Sequence, residues 1–554
     1  MKTIKKIFKV FAWSLGVLLL VLLIFGFYVW KVSDAKPPVI EDAAALNLKR
    51  TQLDSNTFVI GDNWIRKNKY GLYEMFVSGK PFERGVINGK LSKELLIKQE
   101  VAFTDQIKSI VPSPFYLKFL RYVIGFMNRD LSESVTTEYK DEIYGISESA
   151  SDKFDWIGSN YARQLNYHAA HDIGHALQNL MLVGCTSFGA WDGKTENGAL
   201  ILGRNFDFWV GDEFAVNKIV EFVKPDQGHN FAFVTWGGFI GVVSGMNEKG
   251  LTVTINAAKS SIPTDAATPV SLVAREILQY AANIKDAIAI AHKRKMFVSE
   301  SFLIGSAVDH KSIIIEKTPD TLAIYDPNSN EIVCANHYQS DLLGKQKLNQ
   351  EQMQNSASVY RYKRTQELMG QNFPLTPQKV ANILRDIKGL KGENIGIGNE
   401  KALNQMIAHH SVIFMPDSLR IWVSTSPWQL GEFVCYDLRK IFSMNGLKQD
   451  EELADEAHNI APDSFLQTKT FHDFMAFRKE KALIAKGQVN KLDISGFINE
   501  NPAYYDTYRI VGDYLFSKND KKKAIAYYEM ALRKEVPTNE EKNAIRAKIK
   551  KAKK

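Results

Sequence analysis

Apolar positions fall into three textures along the chain, and the first is a continuous run. Between Lys9 and Lys31 the residues VFAWSLGVLLLVLLIFGFYVW carry no charge. As a helix rising about 1.5 Å per residue, this run reaches about 31 Å, the thickness of one bilayer core. A cleavable signal peptide has a shorter apolar region and a small-residue cleavage site, and no such site is evident near Ser33, Asp34 and Ala35. The run is therefore predicted to be an uncleaved transmembrane helix. Lys2, Lys5, Lys6 and Lys9 precede it, whereas Lys31 and Lys36 follow with Asp34 between them. That bias keeps the short end cytosolic and sends the body of the chain to the extracytoplasmic, periplasmic side, with Tyr28 and Trp30 at the interface.

From Pro37 to about Gly184 the pattern reads mainly as helices and loops, as in LSKELLIKQEVAFTDQI and PFYLKFLRYVIGFM. After Cys185 it changes to short strands, among them ALILGRNFDF, NFAFVTW, LTVTINA, KSIIIEK and RIWVSTS, separated by turn signals such as DGKTENG and MNEKG. Helical stretches interrupt the strands at SLVAREILQYAANIKDAIAIAHKR, SASVYRYKRTQELMG and PQKVANILRDI. Alternating blocks of this kind predict an α+β fold of antiparallel sheets covered by helices. The segment YDTYRIVGDYLFSKNDKKKAIAYYEMAL resembles one tetratricopeptide (TPR) repeat, with Tyr508, Gly512, Ala524, Tyr528 and Ala531 at the expected offsets. One such unit cannot bury its own face, so a TPR-like helical hairpin packed on the main body is expected, with docking of a protein partner as a further use. The resulting division is 1–36 (cytosolic end and anchor), 37–184 (mainly helical), 185–445 (strand-rich), 446–500 (helical connector) and 501–554 (hairpin with a basic tail).

With 45% hydrophobic and 24% charged residues, the chain can bury a large core, which excludes a disordered protein. Three cysteines exclude a disulfide framework. The formal charge of +8 changes little once located: residues 521–554 hold twelve Lys or Arg against four Glu, so the tail carries the whole excess. No nucleic-acid partner is indicated. In HAAHDIGHALQN, His171 and His175 have the spacing of zinc peptidases, but Asp172 stands where that motif has Glu. His168, His171 and His175 are read first as packing residues, then as pocket lining, and last as metal ligands. No metal or cofactor is predicted, and His409 and His410 receive no role.

The densest chemistry lies in GCTSFGAWDGKTENGALILGRNFDFW, residues 184–209. A Gly-Cys step enters a strand, a hairpin follows, and Arg204-Asn205-Phe206-Asp207 returns beside it, so a thiol and two charges can converge. Around this segment SGKPFERGVINGKL, GCTSF, GRNFDF, MNEKGLTVTINAA, CANHY and SVYR occur in order. From Gly79 to Leu438 the chain thereby resembles the cysteine-type N-terminal nucleophile (Ntn) hydrolases. The likeness is strongest to the acyl-coenzyme A:6-aminopenicillanate acyltransferase-like group, with bile salt hydrolase, penicillin V acylase and acid ceramidase more distant.

The resemblance implies a four-layer αββα sandwich and a chain that cuts itself between Gly184 and Cys185. The physical logic is that a free thiol titrates near 8.5 and an α-amine near 7.7 to 8.0, so the new amine can act as base for the thiol on the same residue. Cys185 would attack a carbonyl and form a thioester. Asn336 would donate to the oxyanion, with Asn256 contributing through its backbone amide. Arg204 would position Cys185 and favour its thiolate, and Asp207 would bind the new amine. Arg361 matches the family's second arginine, although Arg364 shares its helix face. Cys334 and Cys435 are read as buried hydrophobes.

The expected function is a membrane-anchored, self-processing amidase acting on carbon–nitrogen bonds other than peptide bonds in a small-molecule acyl amide. An acyltransferase passing the same acyl group to an amine is the alternative. A catalytically silent envelope protein using the terminal hairpin is the reading from another class.

Overall fold

Runs of β-branched and aromatic residues form seventeen strands in the computed structural model, which describes residues 2–111, 113–169, 172, 184–260, 267–448 and 451–554. In chain order these are β1 (Thr51–Gln52), β2 (Thr57–Ile60), β3 (Asn63–Lys67), β4 (Tyr73–Gly79), β5 (Thr186–Asp192), β6 (Gly198–Asp207), β7 (Ile219–Pro225), β8 (Phe231–Thr235) and β9 (Ser244–Asn247). They continue as β10 (Leu251–Ala257), β11 (Glu300–Ser306), β12 (Lys311–Lys317), β13 (Leu322–Tyr325), β14 (Glu331–Cys334), β15 (Ala408–Met415), β16 (Arg420–Ser424) and β17 (Phe433–Asp437). Eleven join in the order β1-β2-β3-β4-β7-β8-β9-β10-β11-β12-β13, and six in the order β14-β5-β6-β15-β16-β17.

Side chains alternate across each strand, and this decides the layering. From β7 and β8, Phe222 and Val234 face the smaller sheet and meet Leu202, Val412 and Val423 in one core. Val223 and Phe233 point the other way, into a core shared with Val273 and Ile277 of the helix Val270–Tyr280 and with Ala287 of the helix Ile284–Lys293. On the outer face of the smaller sheet, Phe188, Ile201 and Ile413 pack with Met369 of the helix Ser358–Asn372 and with Val380 and Leu384 of the helix Pro377–Leu384. The order is thus helix, sheet, sheet, helix, and the structure is mixed α+β.

The segment before Cys185 holds more than helices. It supplies β1 to β4, and β4 runs parallel to β7 in register from Tyr73 against Ile219 to Gly79 against Pro225. TFVI and NWIRK are short, and only Gly61-Asp62 lies between them, with Gly61 at a φ of 57° that turns the chain sharply. The long helix Lys2–Val32 is exposed along its described side chains, and Phe25 and Tyr28 touch Phe126 of the helix Pro114–Met127.

Five helices close the chain: Lys469–Ala485, Ile494–Glu500, Tyr505–Ser517, Lys521–Leu532 and Asn539–Lys553. Phe474, Phe477, Tyr504 and Tyr528 share a core with Ile397, Met406, Trp428 and Leu430 of the preceding chain. Gly512 is required there, since a Cβ would lie 2.5 Å from the Tyr528 ring.

Candidate active site

Cys185 sits immediately before β5, whose antiparallel partner β6 sets Arg204 opposite Ser187 and carries Asp207 at its end. The cysteine is 1% exposed. Arg204 Nη2 lies 3.5 Å from Cys185 Sγ and donates to the Ile255 carbonyl at 2.5 Å. Its Nη1 donates to Ser244 Oγ. Ser244 Oγ also shares a hydrogen bond of 2.8 Å with His410 Nε2, and His410 Nδ1 shares one of 2.7 Å with His409 Nδ1, which completes a chain of hydrogen bonds from the arginine to the two imidazoles. A bulge in β15 between Ala408 and His410 brings these consecutive rings together, where a regular strand would separate them. Burial and the nearby cations push both imidazoles well below their ordinary range, in keeping with this neutral chain.

The Asp207 carboxyl accepts from Gln405 Nε2 at 3.2 Å through Oδ2, while its buried Oδ1 has no partner among the described residues. Burial pushes this carboxyl up to about 7 despite Arg361 and Arg204 nearby. Burial likewise raises the Cys185 thiol to about 11, outweighing Arg204. Arg204 does act in favour of the thiolate, as expected, but in the continuous chain loss of hydration opposes the charged form more than one guanidinium supports it. Arg204 is nevertheless beside the sulfur.

Arg361 Nη1 donates to the Cys185 carbonyl at 2.6 Å and to Thr186 Oγ1 at 2.7 Å, and Nη2 donates to Asn336 Oδ1 at 2.7 Å. Arg364 instead pairs with Asp386 at 2.9 Å and Glu367 at 3.1 Å, so of the two arginines it is Arg361 that enters the cluster. Asn336 Nδ2 donates to the Ala257 carbonyl at 2.9 Å. The side chain of Asn256 is already spent: Oδ1 accepts from Ser187 Oγ at 2.8 Å and Nδ2 donates to the Cys334 carbonyl at 3.1 Å, tying β5, β10 and β14. Cys334 and Cys435 are buried free thiols.

Gly184, Asn336, Arg361 and Gln405 border a cavity of about 690 Å³ that Phe474 and Tyr504 from the terminal helical region also line. Three of its cations meet acids: Lys259 meets Glu351 at 3.0 Å, Lys481 meets Asp506 at 2.7 Å and Arg478 meets Asp212 at 3.0 Å. His168 lies apart, stacked on Phe239 with centroids 4.8 Å apart. Its Nε2 accepts from the Ile240 amide at 3.0 Å and its Nδ1 donates to the Gln164 carbonyl at 2.8 Å, and burial depresses it to about 4. His171 and His175 lie outside the described residues. Ser244, His410 and Gln405 were not singled out by pattern, because no recurring spacing marks them. Glu300 was missed likewise, a buried acid whose two oxygens have no partner among the described residues and which burial holds well above the usual carboxylate range.

A thiol thus stands before a strand of a helix–sheet–sheet–helix sandwich, flanked by two arginines and an aspartate. Residues 193–423 match the family model "Acyl-coenzyme A:6-aminopenicillanic acid acyl-transferase", in keeping with the resemblance that the ordered motifs carry. The matched stretch holds Arg204, Asp207, Asn256, Asn336 and Arg361 and begins just beyond Cys185. An uncharacterized protein of Archaeoglobus fulgidus is 26% identical over 276 residues, covering 46% of this chain and 45% of its own. Protein dcd1B of Dictyostelium discoideum is 23% identical over 317 residues, 54% of this chain and 58% of its own. The chain spans about half the length of these curated relatives. Among solved structures, a Caenorhabditis elegans ortholog of N-acylethanolamine-hydrolyzing acid amidase is similar at 17% identity and a TM-score of 0.30, covering 42% of this chain and 93% of that one. A mutant conjugated bile acid hydrolase from Clostridium perfringens is similar at 14% identity and a TM-score of 0.32, covering 46% and 93%.

Proposed function

We propose that this chain is a membrane-anchored cysteine Ntn hydrolase that cuts itself between Gly184 and Cys185 and then cleaves a non-peptide amide through a thioester on Cys185. The observation that carries the reading is the constellation at this bond. Arg204 holds the sulfur at 3.5 Å, and the buried Asp207, joined to Gly184 through Gln405, keeps one oxygen without a hydrogen-bond partner among the described residues. Freed by the cut, the Cys185 amine would take Asp207 as a charge-assisted partner and serve as base for its own thiol. Arg361 would steady Asn336, whose amide is the candidate oxyanion donor. The anchor reading is supported by the helical span Ile4–Val32, long and apolar enough to cross a membrane, whose most apolar stretch has a mean hydropathy of 2.6 and is unburied. The basic residues before it support an extracytoplasmic body.

Intact-mass measurement of the purified protein beside Cys185→Ala tests the reading. The expected result is two wild-type fragments, of 184 residues and of the remaining 370, the second beginning with Cys185, against one chain of 554 for the variant. Wild-type protein that cleaves amides as one unbroken chain would overturn it. The family match also favours an amine as acceptor for the same thioester. Product analysis with and without added amine separates the two, since free acid as the sole product under both conditions leaves hydrolysis alone.

A further inference from the structure

The carbonyl that must become an oxyanion during self-cleavage is that of Gly184, and its surroundings are built. Gln405 Nε2 donates to Gly184 O at 2.8 Å and to Asp207 Oδ2 at 3.2 Å. A peptide oxygen only accepts, so this contact fixes which end of the Gln405 amide faces the bond. The Gly184 amide donates to the Asp207 carbonyl at 3.0 Å, and Arg361 holds the next carbonyl, that of Cys185, at 2.6 Å. The peptide to be cut is thus gripped on both sides. Gly184 permits the approach, since a Cβ there would lie 2.8 Å from Gln405 Nε2.

Gln405 is held in place by its own loop. Asn404 Oδ1 accepts from the Met406 amide at 3.0 Å, and Met406 adopts a φ of 57°, a left-handed conformation that an unbranched non-glycine residue enters only at a cost. Asn404 is tied by its amide to the Asp386 carbonyl at 2.9 Å, and Met406 is buried with Trp428 and Phe474. A strained turn kept between two packed elements is an expensive way to hold a merely structural glutamine.

We infer that Gln405 is a catalytic residue of the self-cleavage step, the oxyanion donor for the Gly184 carbonyl. The inference rests on the self-processing reading above and adds a group that reading does not contain. Cys185 Sγ attacks the Gly184 carbonyl carbon, and the C=O electron pair moves onto the oxygen facing Gln405. As the tetrahedral centre collapses, the C–N bond breaks and the thiol proton ends on the Cys185 nitrogen, leaving a thioester and an amine. Water then breaks the C–S bond, giving the Gly184 carboxyl and restoring the thiol. The 2.8 Å contact falls within about 2.7–3.1 Å, the distance at which a preorganised donor acts on a developing oxyanion.

The test uses the full chain with Gln405→Ala and with Gln405→Met, which keeps the approximate length of the side chain and has no hydrogen to donate. Self-cleavage is followed by intact mass, and folding by thermal melting against uncut Cys185→Ala. The expected result is that both variants fold and cut about 10²- to 10³-fold more slowly than wild type, the usual loss for one oxyanion donor. If Gln405→Ala melts early, the Met variant decides. Cleavage of a folded Gln405→Met chain at the wild-type rate overturns the role of Gln405 while leaving self-processing intact. A wild-type chain that never cuts overturns both.

Discussion

Asp207 titrates near 7 because its carboxyl is removed from water, and the attraction of Arg361 and Arg204 recovers only part of that loss. In an unfolded chain the same group releases its proton near 3.8. Between these two values the folded chain binds a proton that the unfolded chain has lost. The contribution of this group to stability is therefore highest in acid, falls as pH rises through that window, and is level above about 7. In an uncut Cys185→Ala background, Asp207→Asn is expected to raise the melting temperature at pH 8 and leave it nearly unchanged at pH 4. Melting curves at the two values check this, and an equal shift at both would show that the carboxyl is not the group responsible. The role of Arg204 belongs to the same scale. Hydration loss at Cys185 exceeds what one guanidinium returns, so in the uncut chain the arginine orients the sulfur more than it ionises it.

At the scale of elements, the parallel pairing of β4 with β7 joins the chain before the cleavage site to the chain after it. Residues from the helices Pro81–Leu91 and Thr137–Ser147, among them Ile87 and Ile143, enter the same core as Val253 and Ile304. A cut at Gly184 would remove one covalent bond and none of this burial. The two fragments are accordingly expected to co-elute in native gel filtration and to part only in denaturant, whereas separate elution in buffer would show that the shared sheet does not hold. This arrangement was half legible in the sequence. GCTSF and GRNFDF, joined by a hairpin signal, already put a thiol and two charges on neighbouring strands. TFVI, NWIRK and YEMFVSG were lost among helices because short strands have too few residues to express a period of two, and the strand that joins YEMFVSG to the rest of the sheet lies more than a hundred positions on. Arg361 and Arg364 were likewise inseparable by spacing, since residues three apart share a helix face and only the neighbouring sheet distinguishes them.

At the scale of the molecule, the terminal helices form part of the cavity as well as an appended hairpin. Phe474 and Phe477 line the space in front of Gly184 and Asn336 while packing on Trp428, Tyr504 and Phe497. Phe477→Ala is expected to cost about 3–5 kcal/mol, the usual loss for a large aromatic truncated in a packed core. Urea unfolding of uncut protein measures it, and a loss below about 1 kcal/mol would mean that this wall does not pack as described. By itself the sequence determined the apolar run at the start and the layered α+β texture, which are properties of composition and period that a chain carries before it folds. The cysteine, arginines, aspartate and asparagines around which a site would form were legible through the resemblance that the ordered motifs carry. Tertiary structure alone decided that Gln405 meets the Gly184 carbonyl, that Ser244 and two histidines stand behind Arg204, and that the terminal helices wall the cavity. Those contacts join residues 40 to more than 200 positions apart, and a distance between atoms so far separated along the chain is set by the packing of the layers between them.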